Sequence, residues 1–439
     1  MLRSLFAFLF ALSVSPLAAE TNRPNVVIFF MDDLGYGDVR SYGAKDVATP
    51  NIDRLARQGV RLTDCYAAAS LCTPTRAAFM TGRYQHRVGL ENVLTPSARD
   101  AEKGLSPDVA TLPRLLKNAG YKTGLIGKWH LGFKPEFGPL RHGFDEFFGF
   151  LSGALDYYSH VNEAGQHDLY ENERPAGLKG YLTDEIGRRA VSFIDRHARE
   201  PFFLDVAFNA THWPFQPPDL PAPPRLPSGN DFVERWADEG TRADYIRMLE
   251  RADAAIGRIL DALDRHSLSG NTLVIFTSDN GGEWLSRMGP LFQRKGSLWE
   301  GGIRVPCIFR WPERLGAAGT SGQVAITMDL TATILSAAGA KSDQPLDGID
   351  LIPLLASNRK LVERTLYWRG SRQNSSEKAV RSGRWKWIST SPGGLFPGQL
   401  FDLEKDQGER NDLAADHPGV MRKLKAMHGE WERDVLGRK

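Results

Sequence analysis

Short runs of apolar, β-branched and aromatic residues punctuate this chain, and between them apolar positions recur every three to four residues. The runs are Asn25–Met31 (NVVIFFM), Thr123–Ile126, Phe202–Phe208 (FFLDVAF), Leu273–Thr277 (LVIFT) and Val305–Arg310. Continuous apolar runs of this length predict strands buried on both faces, as in a parallel sheet covered by helices. The helical stretches carry readable ends. In TPNIDRLARQG, Thr49 stands as cap, Pro50 at the first helical position and Gly59 as stop, and TLPRLLKNAG repeats that order. Asp244–His266 places Ile246, Leu249, Ile256, Leu260 and Leu263 on one face of a long amphipathic helix.

From about Leu361 the texture changes. RTLYWRG, KAVRSGRWKWIS and QLFDLE read as short antiparallel strands, and a last helix is expected from about Pro418 to Val435. Pro214–Pro227 holds seven prolines and predicts a stiff surface loop. The organisation expected is a signal segment at residues 1–19, a catalytic domain at 20–360 and a C-terminal subdomain at 361–439.

Composition narrows the class. The 439 residues are 41% hydrophobic and 25% charged, with a net charge of +2. This gives no bulk basic field for nucleic acid. MLRSLFAFLFALSVSPLAAE, with one arginine, an apolar run and then small residues, reads as a secretory signal rather than a span. No later stretch is apolar for long enough to cross a bilayer, so an exported protein, periplasmic or secreted, is expected. Cys65, Cys72 and Cys307 are an odd count, and a local Cys65–Cys72 bridge is open.

The candidate chemistry clusters where the strands end. FFM runs into Asp32 and Asp33, LVIFTS into Asp279 and Asn280, TGLIG into Lys128 and His130, and LDVAFNAT into His212. In a parallel sheet these ends share one edge, where ligands bind. The four acid and amide side chains offer only oxygens, a set suited to Ca²⁺ or Mg²⁺ rather than zinc, although each alone could be a turn residue. In SLCTPTRAAFMTGRY, Thr73 is placed as N-cap, Pro74 as first helical residue and Gly82 as stop. Cys72 would then face the positive end of a helix, which favours a thiolate, with Arg76 one turn on. The plain alternative is a small buried cysteine beside an exposed arginine.

Taken with NVVIFFMDDLGYGD, YKTGLIGKWHLG, ATHWPF, LVIFTSDNGG, RKGSLWEGGIRVP and LFDLEKDQGERNDL, the Cys-x-Pro-x-Arg pattern resembles the type I, formylglycine-dependent sulfatases over nearly all of the chain. Thr75 stands where many relatives carry serine. The resemblance implies an alkaline-phosphatase-like α/β fold, a mostly parallel sheet flanked by helices with a smaller antiparallel C-terminal subdomain and terminal helix. It implies that a maturation enzyme converts Cys72 to formylglycine, whose hydrate attacks sulfur to give a sulfo-enzyme. It further implies one Ca²⁺ held by Asp32, Asp33, Asp279, Asn280 and the matured Cys72. Arg76 would orient the nucleophile, and His130 would serve as base with a pKa near working pH. Lys128, His212 and Lys295 would bind sulfate and stabilise or protonate the leaving oxygen, with the proton donor left open between the last two.

GFLSGALDYYSH supplies Ser152, Asp156 and His160, with Tyr157 and Tyr158, as substrate-side candidates, although the stretch could equally be a packed loop. The expected function is hydrolysis of sulfate esters, of a sulfated sugar or of aryl sulfates. A phosphatase or phosphonate monoesterase on the same scaffold, or a silent binder of sulfated glycans, are the alternatives.

Overall fold

A computed structural model describes residues 23–219, 240–316, 319–356, 361–372, 375–392 and 398–437. The signal segment and most of the proline-rich loop lie outside the described residues.

The strands are β1 (Asn25–Met31), β2 (Val60–Leu62), β3 (Cys65–Tyr66), β4 (Lys122–Lys128), β5 (Glu146–Phe150), β6 (Tyr170–Glu171), β7 (Arg174–Pro175), β8 (Phe202–Ala207), β9 (Thr272–Ser278), β10 (Cys307–Arg310), β11 (Gly319–Ser321) and β12 (Ala325–Ile326). Ten of them form one sheet in the order β11-β2-β10-β9-β1-β8-β4-β5-β6-β7. Its centre is parallel, β1 lying between β9 and β8 with β4 and β5 beyond. The Val305–Arg310 run is shorter than expected and antiparallel to β9, because the Val305 N–H is taken by Cys65 O and pairing with β9 starts only at Cys307.

Alternation along β1 divides the core. Val27, Phe29 and Met31 face one hydrophobic layer, and Val26, Ile28 and Phe30 face the other. All seven β1 residues are buried, and all but Asn25 are apolar. The first layer is closed by α4 (Leu182–His197) and α5 (Arg242–Arg265), and α1 (Pro50–Gln58) lies against α5. The second is closed by α2 (Cys72–Thr81), α3 (Leu112–Asn118) and α7 (Thr327–Ala338), with α8 (Ile352–Leu355) as a single turn. The single turn α6 (Glu300–Ile303) packs Ile303 against the C-terminal sheet instead. The α5 helix starts two residues earlier than the pattern predicted, because Thr241 and Asp244 form a reciprocal capping box. Ile246 is only half-buried on it, whereas Leu249, Ile256, Leu260 and Leu263 are fully packed.

A separate antiparallel sheet, β13 (Thr365–Arg372), β14 (Ser375–Ser382), β15 (Trp385–Pro392) and β16 (Gln399–Asp402), carries α9 (Pro418–Val435). A buried ion cluster joins this sheet to α6 and to β3, which pairs with β12 apart from the large sheet. Lys386 on β15, fully buried, lies 2.9 Å from Glu300 and 2.8 Å from Glu409. Glu300 also accepts from Tyr66 Oη at 2.7 Å and from Arg304 at 3.2 Å. No described helix is long and apolar enough to cross a membrane.

Candidate active site

The expected convergence occurs at the C-terminal ends of the central parallel strands. Asp32 and Asp33 follow β1, Asp279 and Asn280 follow β9, Lys128 ends β4 with His130 two residues on, and His212 follows β8. Register places them together: β1 pairs with β9 up to Met31–Ser278 and with β8 up to Phe30–Ala207. Close approach is needed here, and Gly127, at φ 123°, sits where a Cβ would meet Ala207 O at 1.8 Å. Asp33 and His130 themselves adopt left-handed backbone at φ 58° and 59°, a conformation that packing must hold for non-glycine residues.

The α2 helix delivers the cysteine differently from the cap grammar. It begins at Cys72, with Leu71 at the N-cap and no side-chain cap bond. Thr73 is inside the helix, its Oγ1 accepting from Leu94 N at 3.2 Å, and Pro74 is at the third position. Thr75 anchors the start instead, donating to Ala69 O at 3.0 Å and accepting from Ala69 N at 3.1 Å. Gly82 ends the helix in the left-handed conformation as expected. Cys72 Sγ lies 3.6 Å from Asp32 Oδ1, and burial pushes the thiol well above its usual range, so it is not the thiolate that the helix position suggested. All three cysteines are free. Cys65 has Cys307 as its hydrogen-bond neighbour and makes no bridge to Cys72.

Charges interlock around this sulfur. Arg76 Nε and Nη2 both donate to Asp279 Oδ2, at 3.1 and 2.9 Å, and Nη1 donates to Lys128 O at 3.2 Å. The guanidinium lies over the Phe30 ring at 5.2 Å. Lys128 Nζ reaches Asp32 Oδ2 at 2.7 Å, and Lys295 Nζ reaches Asp33 Oδ2 at 2.7 Å. Burial is the largest influence on Asp32 and raises its carboxyl to about 8, although Lys128 pulls the other way. Burial also opposes ionisation of Asp33, but Lys295, in charge and hydrogen bond, prevails and holds it below the usual carboxylate range. Lys128 and Lys295 stay protonated: burial works against them, and Asp32 and Asp33 respectively more than offset it.

Both histidines are neutral, with burial as the main cause and Lys128 next for His130, Lys295 next for His212. This corrects the expectation that His130 titrates near working pH. His130 Nε2 donates to Leu94 O at 2.8 Å, leaving Nδ1 buried with a free lone pair. His212 Nδ1 donates to Trp213 O at 2.7 Å, so its Nε2 accepts from Lys295 Nζ at 3.2 Å.

The donor set fits a hard cation. One carboxylate oxygen each from Asp32 and Asp33, the Cys72 sulfur and a His212 nitrogen lie within 4.8 Å of one another. Lys295 occupies the His212 nitrogen and the sulfur is a neutral thiol, which leaves oxygens as the ligands available. Among the described residues Asn280 Oδ1 is buried without a hydrogen-bond partner, while its Nδ2 donates to Asp33 Oδ1 at 2.7 Å and Gly281 O at 2.9 Å. Such an orphaned oxygen beside buried carboxylates suits a cation ligand.

The substrate-side candidates are placed otherwise. Ser152 Oγ donates to Ala154 O at 2.9 Å. Asp156 accepts from Tyr158 N, Ser159 N and Gln216 Nε2, at 2.9, 2.7 and 2.6 Å. Tyr157 Oη donates to Asn209 O and His212 O, both at 2.9 Å. Their bonds staple the 151–168 hairpin and hold the His212 loop. His160 is buried with Nε2 unpartnered. Sequence reasoning passed over Glu283, 3.5 Å from Lys295, and Glu163, which lies across Gly153 from His130. For Glu283 a signal existed, an acid three residues beyond Asn280. Glu163 carried none, being brought in only by the hairpin.

Residues 24–340 match the family model described as Sulfatase, and residues 291–433 match that described as N-sulphoglucosamine sulphohydrolase, C-terminal. The chain belongs to the sulfatase family. Human N-acetylgalactosamine-6-sulfatase is 35% identical to it, over 89% of this chain and 81% of that protein. Arylsulfatase A of Bos taurus is 34% identical, over 90% and 84%. The crystal structure of Ps i-CgsB in complex with k-i-k-neocarrahexaose superposes with a TM-score of 0.84 at 32% identity, covering 95% of this chain and 94% of that one. The fold is thus the alkaline-phosphatase-like fold of the sulfatases, and the protein is a sulfatase, an enzyme hydrolysing sulfate esters.

Proposed function

We propose that this sulfatase acts on a sulfated sugar or polysaccharide through a nucleophile matured from Cys72, in a site that takes one Ca²⁺. The observation that carries the reading is Cys72 set 3.6 Å from Asp32 at the start of α2, ringed by Asp33, Asp279, Asn280, Arg76, Lys128 and Lys295. A neutral buried thiol is a poor nucleophile. Conversion to formylglycine supplies an oxygen nucleophile at the same place. Asp32, Asp33, Asp279 and Asn280, with the matured side chain, would hold Ca²⁺, which supplies Lewis acidity toward sulfate oxygens.

The chain's own groups do the remaining work. Arg76 locks Asp279 with two donors on one oxygen, leaving Oδ1 to accept from Asp33 N at 3.3 Å and able to serve as a ligand if the cation is bound. Lys128 and Lys295 set two fixed ammonium groups at the sulfate position, where charge develops in the transition state. His130 Nδ1 has the free lone pair a base needs, held in that tautomer by Leu94 O. Lys295 carries the proton beside His212 Nε2, so the leaving oxygen is protonated from Lys295, and His212 steers the ammonium.

A sulfated sugar is the substrate class supported by the relatives, one named N-acetylgalactosamine-6-sulfatase and one solved in complex with k-i-k-neocarrahexaose. Nothing in the oxygen-rich single cluster favours a phosphatase. Residues 20–360 are read as the catalytic unit and 361–439 as its C-terminal subdomain, and residues 1–19 as an export signal. The test is mass spectrometry of the tryptic peptide Leu62–Arg76 together with sulfate release. An aldehyde at Cys72 in active enzyme is expected. Full activity with an intact thiol would overturn the mechanism, and binding of sulfated glycans without sulfate release by matured protein would favour a silent binder.

A further inference from the structure

Among the buried or half-buried carboxyl groups at the site, two are used neither by the metal ligands nor by the proton steps. Glu163 lies in the hairpin that follows β5, and Glu283 lies just beyond Asn280. Glu163 is half-buried, accepts from Ala154 N at 3.3 Å and makes no ion pair among the described residues. A Cβ built on Gly153 would stand 3.4 Å from Glu163 Oε1 and 2.9 Å from His130 Cε1, so the carboxyl and the candidate base flank one glycine. Glu283 Oε2 lies 3.5 Å from Lys295 Nζ and accepts from Trp213 Nε1 at 3.2 Å. Trp213 packs against Ala154 and Val161 of the Glu163 hairpin. One indole therefore links the Glu283 carboxyl to the hairpin that carries Glu163. This side of the site is the accessible one: the Glu283 side chain is 16% exposed and that of Lys295 10%, against 2% for Cys72.

We propose that Glu163 and Glu283, with Trp213 between them, form a sugar-reading rim that accepts hydroxyl groups flanking the sulfate ester and excludes a second sulfate there. The chemistry is direct. Carboxyl oxygens are strong acceptors for vicinal sugar hydroxyls, and an aromatic ring offers the apolar surface that a sugar face covers. A sulfate at the adjoining carbon brings negative charge against that rim and removes the hydroxyl donor. Discrimination between substrates follows when a buried polar group is left without its partner. The ligand class is thus a singly sulfated hexose unit whose neighbouring carbon carries a free hydroxyl. This inference rests on the sugar-sulfate reading above.

The experiment compares kcat/KM for 4-nitrophenyl sulfate, a monosulfated methyl hexoside and its vicinally disulfated counterpart, using matured wild type, Glu163→Ala and Glu163→Gln. The expected result is a wild type that prefers the monosulfated over the disulfated hexoside. Glu163→Ala should lower the ratio of monosulfated hexoside to aryl sulfate turnover about tenfold or more, mainly through KM. Glu163→Gln keeps an acceptor for Ala154 N, should recover part of that ratio, and should narrow the discrimination against the disulfated sugar. Equal losses on hexoside and aryl sulfate in both variants would mark Glu163 as merely structural and overturn the proposal, as would a wild-type preference for the disulfated hexoside. Wild-type turnover of the aryl sulfate with none of either hexoside would instead overturn the sugar-sulfate reading, and this rim with it.

Discussion

Lys386→Met isolates the buried ion cluster that joins the C-terminal sheet to α6 and β3. The wild-type ammonium is fully buried between Glu300 at 2.9 Å and Glu409 at 2.8 Å. Methionine fills a similar volume but leaves both carboxylates without it. Breaking a buried pair by removing one partner costs about 3–5 kcal/mol. Glu300 keeps Arg304 and the Tyr66 hydroxyl, which limits its share of the loss. Among the described residues Glu409 keeps only the Glu300 N–H at 2.6 Å, and burial already raises its carboxyl to about 7. In the folded protein it therefore binds a proton that the unfolded chain releases nearer 4.5, so its ionisation weakens the fold as pH rises through 7. Without Lys386 that carboxyl titrates higher still, and neutralising it on acidification recovers part of the lost stability. The loss should sit near 3 kcal/mol at pH 8 and be smaller at pH 6. Urea unfolding at both pH values, followed by tryptophan fluorescence, measures it, provided wild type and variant unfold with the same slope. Sulfate release should fall as well, because α6 directly follows the loop bearing Lys295. A loss below about 1 kcal/mol at pH 8, or one independent of pH, would refute this account of the junction.

Cys72→Ala should abolish sulfate release while leaving the thermal transition in place, since the side chain is small and its one polar contact is the 3.6 Å approach to Asp32; calorimetry checks the fold. A calcium chelator should remove activity and lower the melting temperature, and added Ca²⁺ should restore both, because a ligand bound only to the native state stabilises it by mass action. His130 is held neutral well below the usual histidine range, so kcat should stay level from pH 8 to below 6.5 and fall only at lower pH; a decline centred at 6.5 would count against His130 as the base. Arg76→Lys should lower kcat at least about tenfold, since a lysine cannot place two donors on Asp279 Oδ2 and a third on Lys128 O.

The strand ends were the legible part of this protein. Apolar runs buried on both faces need no partner to announce themselves, and an acid directly after one has few places to go except the sheet edge. So Asp32, Asp33, Lys128, His130, His212, Asp279 and Asn280 could be placed together from sequence, as could α9 and the antiparallel sheet. What a short motif cannot carry is the dielectric around it. The helix start at Cys72 predicted a thiolate, and its burial made a neutral thiol; His130 was expected to titrate near neutrality, and burial beside Lys128 holds it neutral instead. Local grammar also misplaced the cap, because Thr73 spends its oxygen on Leu94, a residue far outside the helix. The 151–168 hairpin shows the same limit. Ser152 and Asp156 looked like sugar ligands, yet they satisfy backbone and Gln216. The carboxyl the hairpin brings opposite His130, across Gly153, is Glu163, carried there by a chain reversal with no signature of its own. Sequence alone determined which residue types meet at the sheet edge, because strand burial and register are written in local patterns. Only the tertiary structure decided their charge states, tautomers and accessible rim, because those depend on desolvation and on neighbours distant along the chain.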